Sequence, residues 1–171
     1  QLKIQTRDNL GNHCEKPEYG YTASATKNPV GPKFLRITDI QDEKVNWKNV
    51  PFCKCEQKSK YSLRDGDIIV ARIGATTGKA LLIKNPPEAV FASYLIRIRI
   101  KKELLPNFLN YYFQSANYWR QINELKGGRL RGGINIPILK DLKIPLSSLS
   151  EQREIAEILQ TIDEKIEVEE K

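Results

Sequence analysis

The apolar positions of this chain change rhythm along its length. Residues 1–34 are rich in Gly, Pro, Asn, Thr and Ser and predict loops carrying short strands. Leu35 to Ile40 predicts a strand. Asp67-Ile68-Ile69-Val70-Ala71-Arg72-Ile73 is β-branched and apolar, Gly74-Ala75-Thr76-Thr77-Gly78 turns the chain, and Lys79 to Ile83 returns. That pattern predicts a hairpin whose loop is rimmed with hydroxyls and cations. Ile96-Arg97-Ile98-Arg99-Ile100 alternates cleanly, with isoleucines on one face and arginines on the other.

From Pro106 to Leu125 the period becomes helical: Phe108, Leu109, Tyr112, Ala116, Trp119 and Ile122 recur at three- and four-residue steps, and Pro106 suits a first helical turn. Lys126-Gly127-Gly128-Arg129-Leu130-Arg131-Gly132-Gly133 ends that helix. Ile134 to Leu146 predicts short strands around one helical turn. A last helix begins at a capping box of Ser148 and Glu151 and carries a narrow stripe of Ile155, Ile158, Leu159, Ile162 and Ile166. So narrow a seam on an acidic helix either meets a partner helix or folds back on its own domain. The fold class expected is α+β: a mixed α/β domain over residues 1–147, then a long amphipathic, coiled-coil type helix over 148–171.

Charge adds the first functional information. The 171 residues hold 28 Lys+Arg and 21 Asp+Glu, a net of +7. Eight of the acids and three of the bases fall in residues 151–171, which leaves 25 bases and 13 acids, net +12, in residues 1–150. A body that basic points to a polyanion, because each Lys or Arg laid on a phosphate releases condensed counterions. No run approaches the roughly 20 apolar residues of a membrane span. The start shows no secretion signal, so the expected location is the cytoplasm. There is no Met, even at position 1, which fits a fragment or a processed chain. Cys14, Cys53 and Cys55 are expected to be reduced thiols, and His13-Cys14 with Cys53-x-Cys55 has poor spacing for zinc.

Three catalytic look-alikes fail on their own chemistry. Gly74 to Ala80 has three residues between its glycines, where a phosphate-binding loop needs four, and Ala80 where magnesium needs a hydroxyl. Asn85-Pro86-Pro87 is followed by Glu88, not by the aromatic that stacks on a flipped adenine. Glu124-Leu125-Lys126 has no upstream Pro-Asp pair. The chain therefore reads as non-catalytic, with no metal and no cofactor of its own.

Several stretches, in order, resemble one family. Tyr19-Gly20-Tyr21-Thr22-Ala23-Ser24-Ala25 and Gly31-Pro32-Lys33-Phe34-Leu35-Arg36-Ile37-Thr38-Asp39-Ile40 look like the opening of a target recognition domain from the specificity subunit of type I restriction-modification systems. Leu63 to Gly74 with Gly78 resembles that domain's central hairpin. Ile144-Pro145-Leu146, Leu149 and Glu151-Gln152-Arg153-Glu154-Ile155-Ala156-Glu157-Ile158-Leu159 are similar to the start of the family's conserved helix. The resemblance implies a subunit that does no chemistry and reads half of a split double-stranded DNA target. Long helices would pack antiparallel with a second specificity half, or with a homodimer partner. Modification subunits would dock there and methylate adenine with S-adenosylmethionine that they themselves bind; a restriction subunit would translocate and cut.

The residues proposed to touch DNA are Lys33, Arg36, Arg72, Thr76, Thr77, Lys79, Ser93, Tyr94, Lys126, Arg129 and Arg131. Arginines in the 126–133 segment suit bidentate contacts with guanine, and Lys33 and Lys126 suit phosphates. Arg97 and Arg99 equally suit a solvated sheet face. Besides a pure scaffold or dimerisation protein, whose binding would show little salt dependence, two alternatives stay open at this point. One is a recognition domain cut from a single-chain restriction-methylation enzyme. The other is a non-specific single-strand or RNA-binding module stacking bases on its aromatics.

Overall fold

A computed structural model describes residues 6–126 and 133–169. The first third is short strands between loops: β1 (Thr6–Asn9), β2 (Glu18–Tyr19), β3 (Lys33–Leu35) and a tight hairpin of β4 (Ile40–Gln41) and β5 (Lys44–Val45). One helical turn, α1 (Lys58–Tyr61), precedes the predicted central hairpin, β6 (Ile68–Ala71) and β7 (Ala80–Leu82). β8 (Ala89–Phe91) and β9 (Leu95–Ile98) follow. The helical part is α2 (Pro106–Tyr112), α3 (Ala116–Lys126) and α4 (Ile136–Asp141). β10 (Lys143–Leu146) and α5 (Leu149–Glu169) close the order. Among the described residues no helix is long and apolar enough to cross a membrane.

The centre is an antiparallel sheet in the order β2-β9-β6-β7, with Ile68 opposite Ile98 and Val70 opposite Ile96. Side chains alternate along a strand, so β6 feeds two cores. Ile68, Val70, Ile96 and Ile98 pack against Phe108, Leu109, Phe113, Tyr118 and Ile122 of the helical layer. On the other face Ile69, Ala71 and Leu95 join Leu35, Val50, Leu63 and Phe91, which include the parallel pair β3–β8. Burial on both faces is why β6 is an unbroken apolar run. β1 pairs with β10, so the N-terminal strand anchors the chain just before α5.

Three expectations are corrected. The strand expected over Leu35–Ile40 stops at Leu35, because Asp39 captures the Arg36 backbone N–H at 2.9 Å and its guanidinium at 2.8 and 3.0 Å, closing a 3-10 turn over Ile37–Asp39. The helix expected over Pro106–Leu125 is two helices. Ser115 caps the second by accepting from Tyr118 N at 3.3 Å, and the break lets Phe113 and Tyr118 stack at 4.8 Å inside the core. The arginine face of β9 is not solvated. Arg97 is 5% exposed, donates to the carbonyls of Lys60 and Ser62 at 3.1 and 2.9 Å, and lies over the Phe91 ring. Burial pulls its ionisation below the ordinary arginine value. Arg99 grips Asp67 through two hydrogen bonds of 2.7 and 3.2 Å.

The capping box forms in part, with Glu151 N donating to Ser148 Oγ at 3.2 Å. The helix both folds back and leaves a free seam. Ala156 is buried and Ile155 packs on the helical core, Leu159 is half-buried, and Ile158, Ile162 and Ile166 are exposed.

Near β1, His13 bridges Asp8 (Nε2, 2.9 Å) and Glu103 (Nδ1, 3.2 Å). Asp8 also accepts from Asn9 N and from Asn12, and these bonds, that of His13 foremost, lower its pKa from 3.8 to about 2. A depressed folded-state pKa means the contribution is complete above the unfolded value and is lost as pH falls toward about 2. Thermal midpoints measured from pH 5 to pH 2 should therefore fall less steeply for Asp8→Asn than for the parent chain. Equal slopes would show that this carboxylate carries none of the acid sensitivity.

Candidate nucleic-acid interface

Where the chain leaves β6, four segments meet around Arg72. Its backbone N–H donates to Tyr94 O at 3.0 Å, and its carbonyl accepts from Ile134 N at 2.7 Å. Its guanidinium lies 4.6 Å from the Tyr19 ring centroid and donates to Ser93 O at 3.4 Å, while Arg72 Nε is buried without an acceptor. Tyr19 is fixed in turn, its hydroxyl accepting from Ile136 N at 3.0 Å. Gly133 packs directly on this junction: a Cβ there would stand 2.0 Å from Arg72 O, and its φ of 86° suits glycine.

The hairpin loop beside Arg72 is internally braced. Gly78 N donates to Ala71 O at 2.9 Å, Lys79 N to Thr76 O at 2.9 Å, and Thr77 Oγ1 to Gly74 O at 2.7 Å. Behind it the buried Tyr118 hydroxyl donates to Gly78 O at 2.6 Å, and desolvation pushes that phenol's pKa well up. A helical-core side chain thus holds the loop that carries Lys79.

Arg72, Thr76, Lys79, Ser93 and Tyr94 are therefore brought to one end of the sheet. Lys79 is exposed, Tyr94 is 57% exposed, and Thr76 and Ser93 are half-buried. Arg36 follows β3 beside the same turn, since Ala92 N donates to Leu35 O, but its guanidinium is already paired with Asp39, which raises its pKa. Thr77 is buried, and its hydroxyl is spent on the loop. Lys33 sits at the opposite end of β3, where its ammonium donates to Val50 O at 2.7 Å and lies over Phe52 at 4.1 Å. Arg129 and Arg131 lie outside the described residues, as does the side chain of Lys126.

Sequence reasoning left out Tyr19, Gly133 and Tyr118 as positioning residues. Tyr19 opens the motif that runs to Ala25, but its pairing with Arg72 joins strands far apart in sequence. The cysteines and His13 do not converge. Cys14 is in the helical core, Cys53 packs with Phe34 and Val90, and both His13 nitrogens face carboxylates. Among the described residues no group of three or more His, Cys, Asp or Glu side chains is placed to hold a metal.

Comparison with known proteins adds the family. Residues 3–171 match the family model described as type I restriction modification DNA specificity domain. The MjaVIII specificity subunit of a type I restriction enzyme from Methanocaldococcus jannaschii is 31% identical over 149 residues, covering 82% of this chain and 35% of that protein. Among solved structures, a chain from a study of complex assembly and conformational transition of the type I R-M system superposes with a TM-score of 0.76. It is 19% identical and covers 98% of this chain and 40% of its own. The HsdS subunit from Thermoanaerobacter tengcongensis superposes at 0.71 with 20% identity, over 98% of this chain and 39% of that one. This chain thus spans little more than a third of the curated relative.

Proposed function

Because the chain belongs to the family of type I restriction modification DNA specificity domains, we propose that it reads one half of a split duplex DNA target as part of a type I specificity subunit. Residues 1–147 are the recognition unit, and the helix from 148 is the docking element for modification subunits and for a second specificity half or another copy. The chain does no chemistry; S-adenosylmethionine belongs to the modification subunit, and cleavage to the restriction subunit.

The observation that carries this reading is the convergence around Arg72. A guanidinium seated on Tyr19, an exposed Lys79 and an exposed Tyr94 stand on turns locked by backbone hydrogen bonds, at one end of a body that carries net +12. Such a site offers a bidentate donor, a phosphate contact and an aromatic edge. The single-strand reading, which would stack bases on the tyrosines and Trp119, loses Tyr118 to the core and has Trp119 half-buried, while Tyr94 and Tyr19 stay exposed.

Selection of bound duplexes from a random library, at low salt and then with the modification subunit present, tests the proposal through the motif enriched. On that motif Arg72→Ala should cost about 1–3 kcal/mol and relax one position. Lys79→Ala should weaken all duplexes alike and lower the salt slope by about 1. Salt-sensitive binding without any enriched motif would refute sequence reading.

A further inference from the structure

The chain holds seven tyrosines, and six of them are spent on the fold. Tyr19 lies under the Arg72 guanidinium, and Tyr21 faces Tyr61 with ring centroids 5.1 Å apart. The hydroxyls of Tyr111, Tyr112 and Tyr118 donate to Asp163, to Lys143 O and to Gly78 O. Tyr94 is the exception. It is 57% exposed, more than any other aromatic side chain among the described residues, and among them neither its ring nor its hydroxyl has a partner. The backbone beneath it is nevertheless fixed from several sides. Arg72 N donates to Tyr94 O at 3.0 Å, Leu95 N closes the turn on Ala92 O at 3.0 Å, and Ala92 N donates to Leu35 O at 2.8 Å. A Cβ on Gly20 would stand 2.0 Å from Ala92 O, so the segment after β2 lies directly against this turn.

A rigid turn that carries one unpartnered aromatic presents that ring to something outside the fold, and its neighbours indicate what. Arg72 is half-buried, its Nε is shut away without an acceptor and its Nη1 is turned to Ser93 O, so the guanidinium is recessed beside the ring. Lys79 is exposed on the adjoining hairpin loop. A duplex that lays a phosphate on Lys79 and a base edge on Arg72 therefore meets Tyr94 first. A flat ring gains little from phosphate; its large gain comes from stacking on the face of a base. In an intact duplex those faces are covered by the neighbouring pairs. The ring reaches one only by parting a base step, which also bends the DNA.

We propose that Tyr94 enters the half-site as a wedge, stacking in a parted base step next to the base pair that Arg72 reads. The inference rests on the reading of the chain as a DNA specificity domain. What it adds is that this domain deforms its target, and that the deformation carries part of the specificity. Pyrimidine–purine steps part most easily. The half-site should therefore hold a TA or CA/TG step beside the position that relaxes in Arg72→Ala.

The test uses the half-site duplex enriched by selection, with 2-aminopurine, whose fluorescence rises when it is unstacked, placed at each purine in turn. The full chain is titrated into it with the modification subunit present and no S-adenosylmethionine, and the parent is compared with Tyr94→Phe and Tyr94→Ala. Because the ring is exposed, neither change should alter the fold, which circular dichroism checks. The signal is read as the difference from Tyr94→Ala, which removes whatever the modification subunit contributes. Parent and Tyr94→Phe should raise the fluorescence severalfold at one step, and Tyr94→Ala should lose that rise and bind about tenfold more weakly. Equal fluorescence in the parent and Tyr94→Ala at every position, whatever their affinities, overturns the wedge and leaves the specificity reading standing. If selection enriches no motif, both fail. Competition by single strands as strong as that by the duplex assigns the ring to a single-strand site and also overturns both.

Discussion

Asp67→Ala should lower the unfolding free energy by about 3 kcal/mol, the lower end of the range for removing one member of a buried ion pair. Asp67 is 2% exposed and accepts two hydrogen bonds from Arg99, and a third, at 2.9 Å, from Arg64 N. Truncating it leaves Arg97 and Arg99 near each other, with Glu18 3.9 Å from Arg97 as an acidic neighbour. Most of the cost is then an uncompensated buried charge. It follows that Asp67→Ala with Arg99→Met should be less destabilised than Asp67→Ala alone. Urea midpoints of the parent, both single variants and the double variant close that cycle. A double variant as unstable as the sum of the singles would show that the pair is not coupled.

Gln152→Leu should cost a similar amount, about 3 kcal/mol, by a different route. Gln152 is fully buried, and its Oε1 accepts from Leu105 N at 2.9 Å. Its Nε2 donates to Glu103 O at 3.0 Å and to Ser147 O at 2.9 Å. Leucine matches the volume but leaves three backbone groups without partners, at about 1 kcal/mol or more each. Because those bonds fix α5 to the loop before α2, hydrogen exchange in residues 149–160 should quicken more than exchange in β6 and β9. Uniform quickening throughout the chain would mean that the amide supports the whole fold and not the seating of the helix.

The central hairpin was legible from sequence because β6 combines apolar β-branched residues with a Gly-bounded turn, two local signals that agree. The last helix was legible from its cap and stripe. Arg97 and Arg99 show where local pattern stops. Alternation placed them correctly on one face, but what covers that face is α1 and the loop after it, more than 30 residues away in sequence. The break after Tyr112 was hidden because the helical period runs on across it, and the break serves a tertiary end, the stacking of Phe113 on Tyr118. For the candidate interface, residue type proposed Arg72, Thr76, Lys79, Ser93 and Tyr94, and the fold gathers these at one end of the sheet. It gave no sign that the Thr77 hydroxyl is spent on Gly74 O, because a hydroxyl in a loop looks the same whether it faces solvent or braces the turn. Gln152 stands inside the motif from Glu151 to Leu159, and only the structure gives it a physical task.

The junction at Arg72 is held by main-chain atoms: Arg72 N to Tyr94 O, and Ile134 N to Arg72 O. Main-chain bonds are indifferent to the side chains on either side of them. Positions 72, 76, 79, 93 and 94 can therefore change identity while the frame that aims them keeps its shape, provided Gly133 stays a glycine. If these positions read DNA as proposed, such a surface can drift to a new target by substitution alone, with no new backbone to evolve, and it offers the same five positions to anyone who wishes to redirect it.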